Sequence, residues 1–148
     1  MTIRAATPQD AGEWLALRMK LWPMTPVDEH RNELAQQLAD PARFAALLAL
    51  DENGRAVGFA EAALRADYVN GCASSPVAFL EGIYVEPSQQ RRGIARALCA
   101  AIERWAVARG CTELASDAQI ENGASHHFHH AIGFTRTERV VFYRKELK

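Results

Sequence analysis

Leu80-Glu81-Gly82-Ile83-Tyr84-Val85-Glu86-Pro87-Ser88-Gln89-Gln90-Arg91-Arg92-Gly93-Ile94-Ala95-Arg96 joins an apolar strand to an amphipathic helix through a polar loop that carries glycine. Pro87 closes the strand, and from Arg91 to Arg109 the residues Ile94, Ala97, Leu98, Ala101, Ile102 and Trp105 recur at intervals of three and four, the mark of a helix with one buried stripe. The first amides of a helix have no intrahelical partners and sit at the positive end of its dipole, so this junction is a candidate phosphate or pyrophosphate site. Gly93 admits an anion without a Cβ in the way, Ala95 keeps the next turn small, and Arg91, Arg92 and Arg96 add local positive charge. An ordinary strand-to-helix turn with solvated arginines is the competing reading. No Gly-Lys-Ser/Thr follows, and the pattern is not Gly-x-Gly-x-x-Gly, so neither a P-loop nor a dinucleotide fingerprint is present.

Working outward, Val77 to Val85 reads as the strand itself, and Asp67 to Pro76, rich in Asn, Gly, Ser and Pro, as a surface connection leading into it. Upstream, Phe44 to Leu50 and Ala56 to Leu64 flank Asp51-Glu52-Asn53-Gly54 and predict a β-hairpin, because Asn-Gly supplies the positive-φ residues of a tight reversal. Thr2 to Ala6 reads as a strand, and Thr7-Pro8-Gln9-Asp10 opens a helix that reaches Trp22, with a second, more polar helix over residues 28–39. Downstream follow a strand over Cys111 to Ser116, a helix over Glu121 to Ile132, and one or two closing strands within Phe134 to Lys145. The consecutive apolar residues Val140-Val141-Phe142-Tyr143 predict a strand covered on both faces, either inside one chain or across a homodimer. The resulting order β-α-α-β-β-β-α-β-α-β-β predicts an α/β (α+β) fold, a mixed sheet flanked by helices, in one domain over residues 1–148.

Composition narrows the function. Seventeen basic against eighteen acidic residues leave a net charge of −1, so no global field draws a nucleic-acid backbone or an anionic membrane. No apolar run approaches the roughly 18–20 residues of a membrane span, and Met1-Thr2-Ile3-Arg4 lacks a signal-peptide layout, so a cytoplasmic location is expected. Cys72, Cys99 and Cys111 form no Cys-x-x-Cys pair and one is unmatched under any pairing, which argues for reduced thiols. His126 and His130 lie one helical turn apart, yet no His-Glu-x-x-His motif completes them, and a structural histidine cluster is favoured over a metal site.

Gln90-Arg91-Arg92-Gly93-Ile94-Ala95 matches the Gln/Arg-x-x-Gly-x-Gly/Ala signature of the GNAT superfamily of N-acetyltransferases, in the same strand-to-helix context, and nearly the whole chain resembles that superfamily. The resemblance implies a GNAT fold and acetyl-CoA as cosubstrate; the cysteine and histidine patterns lead to the expectation of no metal. It implies that the amides of Arg91 to Arg96 cradle the pyrophosphate, with Gln90, Arg91, Arg92, Gly93, Ile94, Ala95 and Arg96 on the cofactor side. It further implies that the backbone of Ile83 and Val85 pairs with the pantetheine arm, and that Asn122 contacts the cofactor. A narrower resemblance lies in Leu21-Trp22-Pro23, Asp67-Tyr68-Val69-Asn70-Gly71-Cys72, Ser74-Ser75-Pro76-Val77, Phe79-Leu80-Glu81-Gly82-Ile83, Ala115-Ser116-Asp117 and Glu138-Arg139-Val140-Val141-Phe142-Tyr143-Arg144-Lys145. These segments are similar to the aminoglycoside 6′-N-acetyltransferases of the small chromosomal type, which implies acetylation of an aminoglycoside 6′-amine, antibiotic resistance and a homodimer. An acetyltransferase for another amine, such as a polyamine or protein lysine, and a CoA-binding module without catalysis are the alternatives.

The chemistry fits such a substrate. A polycationic amino sugar calls for acidic and aromatic walls, and Trp22, Asp28, Tyr68, Glu81 and Asp117 are the candidates. Glu81 is the candidate base, acting on the ammonium through water. Strict alternation places it on one strand face with Phe79, Ile83 and Val85, where an unpaired carboxylate would cost several kcal/mol. The competing role for Glu81 is an ion pair with an arginine, for Asp28 a first-turn acid on the second helix, for Asp117 a helix or turn cap, and for Trp22 and Tyr68 core or loop packing, which for Trp22 is the favoured one. The developing oxyanion needs a donor, and a backbone N–H near Val85 is the candidate. One departure from the superfamily stands out: four residues before Gly133, where many members carry a tyrosine that protonates departing CoA, this chain has His129; either His129 takes that role or, the reading favoured here, no strong acid is needed because a thiol of pKa near 8.5 leaves well as thiolate.

Overall fold

The computed structural model describes residues 1–148. Strand β1 (Thr2–Ala5) precedes helices α1 (Ala11–Leu21) and α2 (Val27–Ala39), then strands β2 (Phe44–Leu50), β3 (Ala56–Arg65) and β4 (Val77–Val85). Helix α3 (Ile94–Ala108), strand β5 (Leu114–Ser116) and helix α4 (Gly123–Ala131) complete the elements. The five strands form one sheet in sequence order, antiparallel except where β5 runs parallel to β4. No helix is long and apolar enough to cross a membrane.

The sheet is covered on both sides, which is why β3 is buried along nearly its whole length instead of alternating. Ile94, Leu98 and Ile102 of α3 pack on one face with Ala60, Ala62, Leu80 and Val85. Trp14 and Leu17 of α1 and Leu34 of α2 pack on the other against Leu48 and Phe59. The hairpin forms where Asn-Gly predicts it: Asp51 Oδ1 accepts from the amides of Asn53 and Arg55 at 2.9 Å.

Two features of the sheet position the site. The register passes from Glu61 opposite Gly82 to Ala62 opposite Leu80, so Glu81 is the extra residue of a β-bulge in β4. The bulge reverses the side-chain phase: Leu80 before it and Ile83 and Val85 after it all face α3. Gly82 faces the other way and lies under Trp22, whose ring leaves no room for a Cβ there. Second, the β4–β5 ladder ends at Leu80–Ser116 while β4 continues to Val85. The strands part there and leave a crevice.

The expected closing strands do not form within the chain. Residues 134–148 carry no regular structure, and Val140, Val141, Phe142 and Tyr143 are 50%, 74%, 87% and 92% exposed. An isolated extended segment has no ladder partner, and in the single chain neither face of this one is covered. Its start is docked, since Gly71 lies against Thr137 with no space for a Cβ between them.

Candidate functional site

The crevice edge is backbone. Glu86 N–H donates to Val57 O at 2.8 Å, so by alternation Tyr84 and Gly82 turn their backbone groups to β3, while Ile83 and Val85 turn theirs to the side that β5 has left. Gln90 Nε2 donates to the Val85 carbonyl at 3.2 Å and leaves the Val85 N–H as a free donor at the mouth of the crevice. This edge can take an extended amide-bearing arm in β fashion, and the Val85 N–H suits a developing oxyanion.

Beyond the strand, the loop is shaped to present amides. Arg91 (φ 65°) and Gly93 (φ 77°) both adopt left-handed backbone, and no side chain caps α3. For arginine that conformation costs roughly 1–2 kcal/mol, strain of the kind stored where a ligand is cradled. Ile94 is buried and anchors the helix to the sheet, and Ala95 packs beside it, so the cradle rests on a rigid base. Arg91 and Arg92 are exposed at its rim. Arg96 is placed differently from the expectation, because its guanidinium donates to Ala131 O at 3.3 Å and ties α3 to the end of α4. Asn122 caps α4, its Oδ1 accepting from Ser125 N–H at 3.0 Å, which leaves both Nδ2 hydrogens for other contacts. Uncapped amides, an open strand edge and rim arginines together fit a nucleotide diphosphate with a pantetheine arm.

On the opposite face of the sheet lies a cleft of about 430 Å³ lined by Trp22, Glu33, Gln37, Glu61 and Glu81. Alternation misplaces Glu81. The bulge turns it away from Ile83 and Val85 into this exposed cleft, where Arg65 Nη2 donates to it at 2.9 Å while stacking on Phe79 at 3.6 Å. The arginine pair and the open approach therefore coexist. Trp22 forms the wall, held by Arg18 at 4.9 Å from its ring, by edge contact with Phe59 and by stacking with His30.

Beneath the cleft is a buried polar network that the sequence reading missed. Glu61 accepts from Trp14 Nε1 at 2.8 Å and Gln37 Nε2 at 2.7 Å and forms an ion pair with Arg18, whose Nε lies 3.0 Å away; Arg18 also binds Glu33. Burial pushes the Glu61 carboxyl up, opposed by the pull of Arg18 and the donors from Gln37 and Trp14. A charge in the middle of an apolar strand, and Arg18 within the apolar stripe of α1, were the available signals.

Other candidates stand apart. Asp28 is 89% exposed at its side chain and pairs with Arg31 at 3.6 Å, acting as a first-turn acid of α2 outside the cleft. Glu33, further along α2, takes the lining position instead. Tyr68 is 73% exposed on the loop before β4. Asp117 is exposed one residue past β5, where β5 parts from β4. Burial pushes the Cys99 thiol up to about 11 and raises that of Cys111, so neither presents a thiolate. No group of three His, Cys, Asp or Glu side chains is placed to hold a metal ion.

Against known proteins, the model of the acetyltransferase (GNAT) family matches residues 10–134. The chain is 52% identical over 147 residues to an aminoglycoside N(6′)-acetyltransferase type 1 of Stenotrophomonas maltophilia, covering 99% of this chain and 94% of that one. With the protein of the same description from Serratia marcescens it shares 54% over 134 residues, 90% and 91% of the two chains. The solved structure of AAC(6′)-Iy in complex with the bisubstrate analog CoA-S-monomethyl-acetylneamine superposes with a TM-score of 0.93 at 46% identity, covering 99% of this chain and 98% of that one.

Proposed function

The chain belongs to the acetyltransferase (GNAT) family, and we propose that it moves the acetyl group of acetyl-CoA to the 6′-amine of aminoglycoside antibiotics, conferring resistance to them. The observation that carries this reading is the meeting of two sites at one strand: β4 offers its open edge and the uncapped start of α3 to a CoA thioester, and its bulge turns Glu81 into an acidic, Trp22-walled cleft for a cationic sugar. Acetyl-CoA supplies the activated acyl carbon. Glu81, exposed and held by Arg65, receives a proton from the sugar ammonium through water; Trp22 and Glu33 orient the rings; Asp117 receives a second ammonium where β5 parts from β4; and the Val85 N–H donates to the oxyanion. Holding two reactants in place is worth roughly 7–11 kcal/mol, against about 10²–10⁴ in rate for proton transfer, so geometry dominates.

The chain acts as one domain over residues 1–148 in the cytoplasm, where Cys72, Cys99 and Cys111 stay reduced. Its exposed apolar tail pairs with a second copy, giving a homodimer through the C-terminal strands. Support comes from Val140 to Tyr143, a strand-forming run with no cover of its own. Sedimentation should find a dimer, and truncation after Glu138 a monomer; a monomeric full-length chain overturns this part.

The deciding experiment compares paired aminoglycosides with and without a 6′-amine. Release of CoA thiol only with the 6′-amine is expected, and no turnover across the panel overturns the assignment. Glu81→Ala should lower kcat/KM for the aminoglycoside by about a hundredfold while acetyl-CoA affinity changes less than twofold.

A further inference from the structure

A cation lines the cleft that the acetyl-transfer reading gives to a cationic sugar. Arg18, 2% exposed, sits in the buried stripe of α1 beside Trp14 and Leu17, and it is the one basic side chain lining the cleft, against the carboxylates of Glu33, Glu61 and Glu81. Like charge repels the substrate, so Arg18 needs a physical reason to be there. Its contacts supply one. Nε lies 3.0 Å from Glu61 of β3 in a buried ion pair, Nη1 donates to the His30 carbonyl of α2 at 3.2 Å, Nη2 binds Glu33 Oε2, and the guanidinium carbon stands 4.9 Å from the centre of the Trp22 ring. One planar side chain thus joins α1, α2 and β3 and touches both groups that orient the sugar. Glu61 cancels its charge, steadied in turn by Trp14 Nε1 and Gln37 Nε2. Glu33 carries Arg18 on Oε2 and keeps Oε1, on a side chain 40% exposed, for a further donor.

We propose that Arg18 is a positioning residue for sugar recognition: neutralised by Glu61, it fixes the Glu33 carboxylate and the Trp22 ring in the arrangement that takes an ammonium and a sugar ring together. The proposal rests on the acetyl-transfer reading above. Arg18 packs on the face of the sheet opposite α3, so its effect is confined to the sugar and does not extend to the cofactor edge of β4. The other supports of Trp22 leave this role open. Its ring lies on Gly82 and its carbonyl accepts from His30 Nε2 at 3.1 Å, contacts that seat the residue without linking it to Glu33. Lysine cannot substitute, because an ammonium has no plane to lay against an indole and no fork to span two carboxylates.

Arg18→Lys should raise KM for the aminoglycoside about tenfold, with kcat and KM for acetyl-CoA within about twofold of wild type. Its loss and that of Glu33→Gln should sum to less than their separate effects, because the arginine acts through the carboxylate. A signature that needs no ligand comes from nuclear magnetic resonance: the Trp22 indole N–H, identified by its disappearance in Trp22→Phe, should show a lower heteronuclear NOE in Arg18→Lys than in wild type, while the indole of Trp105 is unmoved. Arg18→Met/Glu61→Gln removes both charges and so leaves none buried unpaired, and Gln37 can turn its unpartnered Oε1 to the new amide. This double variant should fold even where the lysine variant does not, and should show the same rise in KM and the same loosened indole. An unchanged KM for the sugar, an equal loss for acetyl-CoA, full additivity with Glu33→Gln or an equally ordered Trp22 indole overturns the role of Arg18. Absence of wild-type turnover across aminoglycosides overturns the acetyl-transfer reading instead, and the indole measurement, made on the free protein, still tests whether Arg18 holds Trp22.

Discussion

Helix α4 begins with Asn122, whose side chain takes the Ser125 amide, whereas α3 begins with Gly93, which has no side chain to offer and a backbone that favours none. The short helical turn Pro8–Asp10 that leads into α1 sides with α4: the Asp10 carboxylate accepts from the Thr7 amide at 2.7 Å and hydroxyl at 3.0 Å and pairs in bidentate fashion with Arg4. A cap supplies a partner for amides that would otherwise go unpaired, so α3, left without one beside the open edge of β4, gives up stability where its amides serve a ligand; α2 also lacks a side-chain cap, but it starts after Pro26 on the other face of the sheet. Left-handed Arg91 adds to that cost at the same turn. The two kinds of helix start should therefore respond differently to mutation.

The largest difference is expected at Gly93. A Cβ added at Gly93 meets no atom within 4 Å, so in Gly93→Val the cost is the backbone angle and the β-branched side chain over the anion site. Acetyl-CoA affinity should fall at least about tenfold by calorimetry, with the fold retained by circular dichroism. Unchanged affinity would place the diphosphate elsewhere and break the contrast.

Much of this contrast was legible from residue types. Thr7-Pro8-Gln9-Asp10 announces a capped start, Gln90 to Ala95 an uncapped one, and Asn53-Gly54 fixes the hairpin because few residues accept its backbone. Glu81 was legible as a residue and not as a direction: a bulge shifts the phase of everything after it, and nothing in Leu80-Glu81-Gly82 distinguishes a bulged strand from a regular one until Trp22 is seen lying on Gly82. The exchange of Asp28 for Glu33 has the same origin, since the face of α2 turned to the cleft depends on how the chain passes Pro23 and Pro26. The closing strands failed for another reason. Strand propensity in Val140 to Tyr143 is real, but a strand is completed by its neighbour, and the neighbour is absent from the chain itself.

At α1 the cap is ionic, and that gives it a pH signature. The Arg4 guanidinium, with the Thr7 amide and hydroxyl, holds the Asp10 carboxyl well below the usual carboxylate range. A depressed folded-state pKa contributes stability that is complete above the ordinary aspartate value and is lost as pH falls below it. Asp10→Asn should cost about 1–2 kcal/mol at neutral pH, and the gap from wild type should close in denaturant titrations as the pH drops below about 4. A gap that persisted in acid would mean the side chain acts by shape alone.

The smallest effect, and the sharpest discriminator, is expected at Asn122. If its Oδ1 serves as the α4 cap, Asn122→Ala should lose about 1 kcal/mol, or roughly 3 °C in Tm, by leaving the Ser125 amide without its partner. Acetyl-CoA affinity should fall less than threefold, because the side chain is held in place by the cap at the helix start. Asn122→Asp preserves the oxygen and adds charge at the positive end of the helix, so it should keep the stability and, through repulsion of a nearby diphosphate, lower the affinity. A tenfold loss of affinity in the alanine variant would place Asn122 in the cofactor site. The capped and uncapped helix starts would then be two parts of one binding surface instead of a contrast between support and function.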